Sequence, residues 1–362
     1  GCLFMAVYGC SPTSVCCELP HYAQFMRVAL DEARKGLGRT GPNPVVGAVL
    51  VSGGRIVARG HHARAGGPHA EIACLRKLGQ RVPRDATFYV TLEPCSTTGK
   101  TPPCVKALID AGVRTIVIGA IDVNPRHRGR GISELRNAGV TVHTGVLASE
   151  SLRLNEGFNK WIISREPFVI AKCAMSLDGR LTRPPGESRW LTSPRARAHA
   201  RRLRGQVDAV LVGAETIRHD NPQLTVRSGP AGRRPWRVIL TRSGRLPRNA
   251  RIFRDAHRER TLVYRNQTLR AVLRNLGMRE VTSVLIEGGG EVLSQALDQR
   301  LIDKIQIYLA PIFTGGNVLA FAGTGANSTV DSLRVMRERY ERIAEDICVT
   351  GYPASQGQLQ HA

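Results

Sequence analysis

The sequence predicts an α/β protein built from two unlike domains. Three observations carry that expectation. The chain has 362 residues, more than one simple hydrophobic core ordinarily serves. Short apolar strand-like runs alternate with amphipathic helical segments along its length. No repeat with a period of roughly 20 to 50 residues is visible, so the second half is not a copy of the first. With 42% apolar and 22% charged residues, the composition is that of a globular chain.

The elements follow in order. Residues 1–20 read as a tail of unknown role, mildly apolar and without the basic start of a secretory signal. From His21 to Lys35, Phe25, Met26, Ala29, Leu30 and Ala33 recur at helical spacing, and Gly36 can end the helix. "GPNP" breaks the chain. Val45 to Val51 reads as a buried strand, and "SGG" turns it toward "RIVARG". A helix over His69 to Leu78, a strand "TFYVTLE" and a helix over Pro102 to Ala111 come next. The strand "TIVIGA", a short helix over Ile132 to Ala138 and the strand "VTVHTG" complete a three-layer α/β/α domain spanning 21–148. A polar helical link, 149–166, leads into a second α/β domain, 167–355. Its expected strands are "FVIAKCAM", "AVLVG", "RVILT", "TLVY", "SVLIE" and "KIQIYLA". Helices are expected near Pro194 to Leu203, Leu269 to Leu276 and Glu291 to Leu297.

The net charge is +23, yet only seven of the 52 basic residues are lysine, and the arginines are scattered along the chain. Charge alone gives nonspecific affinity for nucleic acid. We read this skew as compositional and expect no nucleic-acid partner. No apolar run of about 18 residues exists, so no membrane span is expected. Of nine cysteines, Cys2, Cys10, Cys16 and Cys17 fall in the tail, and Cys74, Cys173 and Cys348 sit singly among apolar residues. An odd count without a signal segment suggests a reducing, cytoplasmic setting. Only Cys95 and Cys104 stand in a patterned context.

That context is "EPCSTTGKTPPC". It is open to three readings: metal site, phosphate loop or plain turn. A phosphate loop of the G-x-x-x-x-G-K-[ST] kind needs a glycine where Pro94 stands. Upstream lies "PHAEIACL". Alone, H-A-E is weak evidence, since a histidine at a helix start is usually a cap. With "EPC" placed after a strand it gains meaning, because zinc deaminases of nucleobases carry H-x-E followed by P-C-x-x-C. One imidazole and two thiolates leave a fourth tetrahedral position for water. Zinc would lower that water's pKa toward about 7. His69, Cys95 and Cys104 are therefore the candidate ligands, and Glu71 the proton carrier. The spacing departs from that pattern, with eight residues between the cysteines instead of two. Lys100 places one positive charge in that longer loop, suited to a phosphate.

Across residues 21–352 the chain resembles the bifunctional deaminase/reductases of riboflavin biosynthesis, the RibD family. The first half carries "PNPVVGAVLV", "GGPHAE", "VTLEPC", "GKTPPC", "NPRHRGRG" and "NEGF". The second carries "AKCAMSLDGRLT", "GESRWLTSP", "DAVLVGAETIRHDNPQLTVR", "LIEGGG" and "YLAPIFTGG". The resemblance implies a cytidine-deaminase-like domain followed by a dihydrofolate-reductase-like one. It implies hydrolytic, zinc-dependent loss of the 2-amino group from a diaminopyrimidinone bearing a phosphoribosylamino group. It then implies NADPH-dependent reduction of the ribosyl chain to ribityl. A homo-oligomer is also expected.

By resemblance, Asn43 contacts the pyrimidine and Lys100 the substrate phosphate. In the second half Ala174, Trp190, Thr216 and Asp220 contact the dinucleotide, as does the run Gly289, Gly290, Glu291, Val292, Leu293, Ser294 and Gln295. Ser188, Arg204, Leu224, Arg227 and Glu287 contact the substrate. No G-x-G-x-x-G fingerprint is present; read alone, "IEGGG" is a glycine loop before a helix, able to approach a phosphate. Lys172 and Glu287 are expected to handle protons as hydride reaches the sugar. The sequence departs from the family at Thr97 and Thr98, where histidine followed by histidine or tyrosine is usual. It departs again at His127 and Arg128, where small apolar residues are usual. Thr241 and Arg242 replace a usual Asp-Ser, and Arg242 is a candidate for the 2′-phosphate of the cofactor. Three other readings stand beside this one: a reductase with a weakened deaminase site, a nucleic-acid base deaminase, and a non-catalytic scaffold.

Overall fold

The computed structural model describes residues 19–97, 103–182, 187, 190–226 and 234–354. Thr98, Lys100, Ser188, Arg227 and most of the tail lie outside them. The apolar stripe after residue 19 forms helix α1 (Leu19–Arg34), burying Phe25, Met26, Ala29, Leu30 and Ala33. It packs on a sheet of β1 (Gly47–Ser52), β2 (Arg55–His61), β3 (Thr87–Leu92), β4 (Thr115–Ala120) and β5 (Thr141–Thr144). The strand order is β2-β1-β3-β4-β5; β1 is antiparallel to both neighbours, while β3, β4 and β5 are parallel. Alternate side chains of β1 serve opposite faces. Val49 and Val51 meet α1, and Ala48 and Leu50 join the core on the other side. That side is covered by α2 (Ala70–Leu78), α3 (Cys104–Asp110) and α4 (Arg130–Asn137). At Gly47 a Cβ would stand 2.0 Å from the Ala29 carbonyl oxygen, so only glycine lets α1 lie this close.

The first strand starts at Gly47 and not at Val45 because the Val45 backbone is bonded elsewhere. Its N–H donates to Asn155 Oδ1 (2.8 Å), and its carbonyl accepts from Asn155 Nδ2 (3.0 Å). Asn155 lies between α5 (Ala148–Leu154) and α6 (Glu156–Ser164). These two helices occupy the stretch read as a polar link, and they belong to the first compact unit, which ends at Ser164.

The second unit begins at Arg165. Its elements are β6 (Phe168–Ser176), α7 (Pro194–Arg202), β7 (Ala209–Gly213), α8 (Ala214–Asp220), β8 (Trp236–Thr241), α9 (Arg251–Arg254) and β9 (Thr261–Arg265). Then come α10 (Leu269–Met278), β10 (Ser283–Ile286), α11 (Gly290–Asp298), β11 (Lys304–Ala310), β12 (Arg334–Ile343) and β13 (Asp346–Ala354). One eight-stranded sheet runs β12-β13-β11-β6-β10-β7-β8-β9. It is parallel from β11 through β9 and antiparallel only at β11-β13 and β13-β12. The central strands are apolar on both sides, as a parallel sheet covered on two faces requires.

Four elements of this unit were not expected from the sequence. Helix α8 buries only Ala214 and Ile217, and α9 is four residues long. Strand β12 is an edge strand, exposed along nearly its whole length and rich in arginine and glutamate, so it shows no apolar alternation. Its partner β13 was missed with it.

Candidate active sites

The first site forms where β3 ends and α2 and α3 begin. His69 is the residue before α2, Glu71 sits in its first turn, Cys95 follows β3 by three residues, and Cys104 opens α3. His69 Nδ1 lies 3.5 Å from Cys95 Sγ and 3.3 Å from Cys104 Sγ. A tetrahedral zinc with ordinary Zn–N and Zn–S bonds sets N···S separations of about 3.6 Å. The three donors therefore converge as a zinc site demands, all within 4.8 Å of one another. The Cys104 N–H also points at Cys95 Sγ (3.4 Å), a contact that favours thiolate. Cys95 is pulled down to about 4 by the hydrogen bond from Cys104, against burial and with help from His69. Cys104 is pushed up by holding the proton of that pair and by burial.

Glu71 is buried beside the triad. Burial, and then the neighbouring Cys95 charge, push its carboxyl up to about 7. A carboxyl poised there can both take and return a proton near neutrality. Behind Cys95, the buried Glu93 carboxylate accepts from the N–H groups of Asp122, Gly129 and Ile132 at 3.2, 3.0 and 3.3 Å. It thereby fastens the 122–132 loop against the segment after β3 that carries Cys95. Gly131 allows that approach, since a Cβ there would stand 2.2 Å from the Pro94 carbonyl oxygen.

Asn43 stands at the rim, after the cis Gly41–Pro42 bond. Its amide reaches His62 Nε2 (3.2 Å), whose Nδ1 faces the Pro68 carbonyl (3.0 Å). This fixes a neutral tautomer that donates from Nδ1 and accepts at Nε2. Burial lowers the His62 pKa, in keeping with the neutral form. The His62 ring also meets His69 edge-on at 5.3 Å. Sequence reasoning missed His62. It stands in "GHHARAG", where only its distance from "PNP" and "PHAE" in the fold reveals a role. Two departures from the family meet here as well: Thr97 Oγ1 is 3.4 Å from His127 Nδ1.

The second site is a cleft of about 2150 Å³ at the carboxyl ends of β6, β7 and β10, the edge where open parallel sheets bind ligands. Lys172 and Ala174 reach it from β6, and Thr216 and Asp220 from α8. Glu287 and the glycine run reach it from β10 and the start of α11. Trp190, Arg204 and Leu224 complete the expected set, with Glu291, Val292, Ser294 and Gln295. Leu293 does not line the cleft; it is fully buried in the core. At Gly290 a Cβ would stand 2.0 Å from the Leu319 carbonyl oxygen, so the glycine permits chain crossing there.

Arg204 and Glu287, 83 positions apart, form a two-pronged pair with Nε–Oε1 at 2.8 Å and Nη2–Oε2 at 2.7 Å. Burial alone would raise the Glu287 carboxyl. The bonded Arg204, aided by Lys172, instead holds it below the usual carboxylate range. Arg242 pairs with Glu291 (2.7 Å) on the exposed lip. Tyr308, also unforeseen, lines the cleft beneath Lys172, whose Nζ is 5.9 Å from its ring centre. Its hydroxyl is held by Gln306 (2.6 Å) and His199 (2.9 Å).

Comparison with known proteins bears on both sites. Residues 20–120 match the family described as the cytidine and deoxycytidylate deaminase zinc-binding region, and residues 167–349 match the RibD C-terminal domain. The riboflavin biosynthesis protein RibD of Aquifex aeolicus is 36% identical over 345 residues, covering 90% of this chain and 96% of that one. The chain belongs to the RibD family. The Escherichia coli RibD is 35% identical, over 90% of this chain and 97% of its own. Among solved structures, Acinetobacter baumannii RibD superposes with a TM-score of 0.83 at 35% identity, covering 93% of this chain and all of that one. A Thermotoga maritima diaminohydroxyphosphoribosylaminopyrimidine deaminase/5-amino-6-(5-phosphoribosylamino)uracil reductase gives 0.83 at 37% over the same shares. The RibD assignment makes this chain a bifunctional enzyme of riboflavin biosynthesis, a zinc-dependent deaminase joined to an NADPH-dependent reductase. Among the described residues, no helix is long and apolar enough to cross a membrane.

Proposed function

We propose that the first unit deaminates a diaminopyrimidinone carrying a phosphoribosylamino group, and that the second reduces the ribosyl chain of the resulting uracil. The observation that carries the deaminase reading is the convergence of His69, Cys95 and Cys104 beside a buried Glu71. Those three residues would hold zinc. Bound zinc lowers the pKa of its water toward about 7 and supplies the nucleophile at neutral pH. Glu71 would serve as the proton carrier, delivering a proton to the ring nitrogen and then to the departing ammonia. Asn43, oriented by His62, holds the pyrimidine edge. Lys100, by family position, meets the substrate phosphate.

In the cleft, the glycine run at the start of α11 and the residues of α8 hold the dinucleotide. Glu287 is a carboxylate held low and already accepts two bonds from Arg204, so it accepts hydrogen bonds and does not donate them. Lys172 lines the cleft from β6, near the Glu287 carboxylate. We assign it the donor's part as the sugar ring opens. Arg204, with Ser188, Leu224 and Arg227 by family position, binds the substrate. Arg242 stays a candidate for the cofactor's 2′-phosphate, from a lip it shares with Glu291. Incubating the purified protein with zinc and the diaminopyrimidinone phosphate, with and without NADPH, tests both halves. Ammonia release without NADPH, followed by NADPH oxidation once it is added, is expected. No ammonia release from zinc-loaded protein would leave only the reductase.

We also propose a reducing, cytoplasmic setting, which the five free cysteines among the described residues support. Self-association is proposed through the terminal hairpin, where Val335, Tyr340 and Ile347 are exposed. Sedimentation of wild type against Tyr340→Asp tests it, with dissociation expected.

A further inference from the structure

One wall of the reductase cleft is the segment after α8, where Asn221, Pro222, Gln223 and Leu224 line the opening. Two of these residues, Asn221 (φ 41°) and Leu224 (φ 52°), adopt left-handed backbone without being glycine. Such a conformation persists only where the surroundings hold it. Three contacts do so. Asn221 Oδ1 accepts from the Arg251 N–H (2.8 Å). The carbonyls on either side of Leu224 are each held by an arginine: Gln223 O by Arg237 Nη1 (2.9 Å) and Thr225 O by Arg204 Nη1 (3.4 Å).

Arg204 faces the cleft, but Arg237 does not. It sits on β8, only 1% exposed, within the core. Its Nη1 also donates to Asp255 Oδ2 (2.6 Å), and its Nη2 to Ile252 O (2.8 Å) and Thr261 Oγ1 (2.8 Å). One buried guanidinium thus ties the cleft wall to α9, to the residue that follows it and to the start of β9. A planar fork can serve acceptors in these several directions, and a lysine ammonium cannot. The side chain of Leu224 is drawn into the same core with Val210, Ile239 and Ile252.

We propose that Arg237 is a positioning residue for the reductase substrate. It sets the left-handed backbone at Leu224, whose side chain stays in the core, so that this stretch of main chain lines the cleft and the Thr225 carbonyl is aimed at Arg204, which in turn grips Glu287. Arg237 touches no substrate itself. The inference rests on the reductase reading above. Its hydrogen bonds reach neither α8 nor α11, the elements proposed to hold the dinucleotide, so it is not tied directly to that site.

The test uses the full-length, zinc-loaded protein and its Arg237→Lys variant. The KM for the phosphoribosylaminouracil and the KM for NADPH are measured separately, with the deaminase rate and a thermal melt on the same samples. The expected result is a rise of about tenfold in the KM for the uracil substrate, with that for NADPH within about twofold and deamination unchanged. Unchanged KM values in a variant that melts like wild type overturn the proposal. So does a parallel rise in both that only follows lost thermal stability. Asp255→Asn keeps the guanidinium and weakens one of its anchors, and it serves if the lysine variant does not fold. It should show the same one-sided rise at smaller size, and no rise sinks the idea. Wild type run in parallel separates the two levels of inference. If wild type itself oxidises no NADPH on this substrate, the reductase reading falls. If wild type is active and Arg237→Lys equals it, only the positioning role falls.

Discussion

Replacing Glu71 by glutamine should make the zinc-stripped protein more stable while nearly abolishing deamination. The wild-type carboxyl titrates at about 7 in the folded chain against an ordinary 4.5, chiefly because it is buried. The folded state therefore keeps its proton over a pH range where the unfolded state has released it. In that range the unfolded state binds fewer protons, so stability falls as pH rises. The loss begins above pH 4.5 and is complete just above pH 7. At about 1.4 kcal/mol for each tenfold change in proton affinity, it amounts to about 3 kcal/mol. Glutamine has the same shape, carries no charge and escapes this penalty. The assay is denaturant unfolding between pH 4.5 and 8, with Trp161 of the first unit as the reporter after Trp190 and Trp236 are replaced by phenylalanine. The stability difference between Glu71→Gln and its parent should grow from near zero to about 3 kcal/mol across that window. A difference that is flat with pH, or a parent that is the more stable at pH 8, would refute the reasoning. In the zinc-loaded enzyme the same change should lower the deamination rate by about 10² to 10⁴.

Further outcomes follow from the same geometry. Cys104→Ala should reduce bound zinc, measured by atomic absorption, to a small fraction of one per chain and remove deamination, with NADPH oxidation on the uracil substrate retained. Glu287→Gln should abolish reduction, spare deamination, and destabilise the second unit by about 3 to 5 kcal/mol in denaturant melts, because Arg204 is left buried without its counter-charge. Lys172→Met should abolish reduction without that loss of stability, so the pair of variants separates proton delivery from anchoring. Thr97→His should lower the KM for deamination by about fivefold, the worth of one added hydrogen bond. His127→Ala should raise it by a similar factor if the imidazole beside Thr97 serves the substrate; unchanged KM in both would show that this rim is not used.

The order of elements was legible wherever burial imposed a period. Phe25, Met26, Ala29, Leu30 and Ala33 predicted α1 because all five are buried, and the central strands of both sheets announced themselves as unbroken apolar runs. The candidate zinc ligands, which the structure brings together, were legible because metal chemistry restricts residue type and position together. Elements with little buried surface were silent. Strand β12 offers arginines and glutamates to solvent, and α8 buries just two side chains. Long-range polar pairs were silent too. Nothing near Glu287 in sequence points to Arg204, and nothing in "GHHARAG" distinguishes His62 from its neighbour. Such pairs depend on how the strand ends converge, which local pattern does not encode.

The two hydrogen bonds between Asn155 and Val45 decide where this gene can be cut. A fragment ending at residue 148 would contain all three candidate zinc ligands, Glu71 and the whole five-stranded sheet. It would also leave the Val45 amide and carbonyl without partners at the entrance to β1, and it would strip away α5 and α6 with the buried Ser151 and Trp161. A fragment ending at Ser164 keeps them. Any natural or engineered separation of the deaminase from the reductase should therefore fall in the short stretch between Ser164 and Phe168, because the helices that look like a tether belong to the first unit's core.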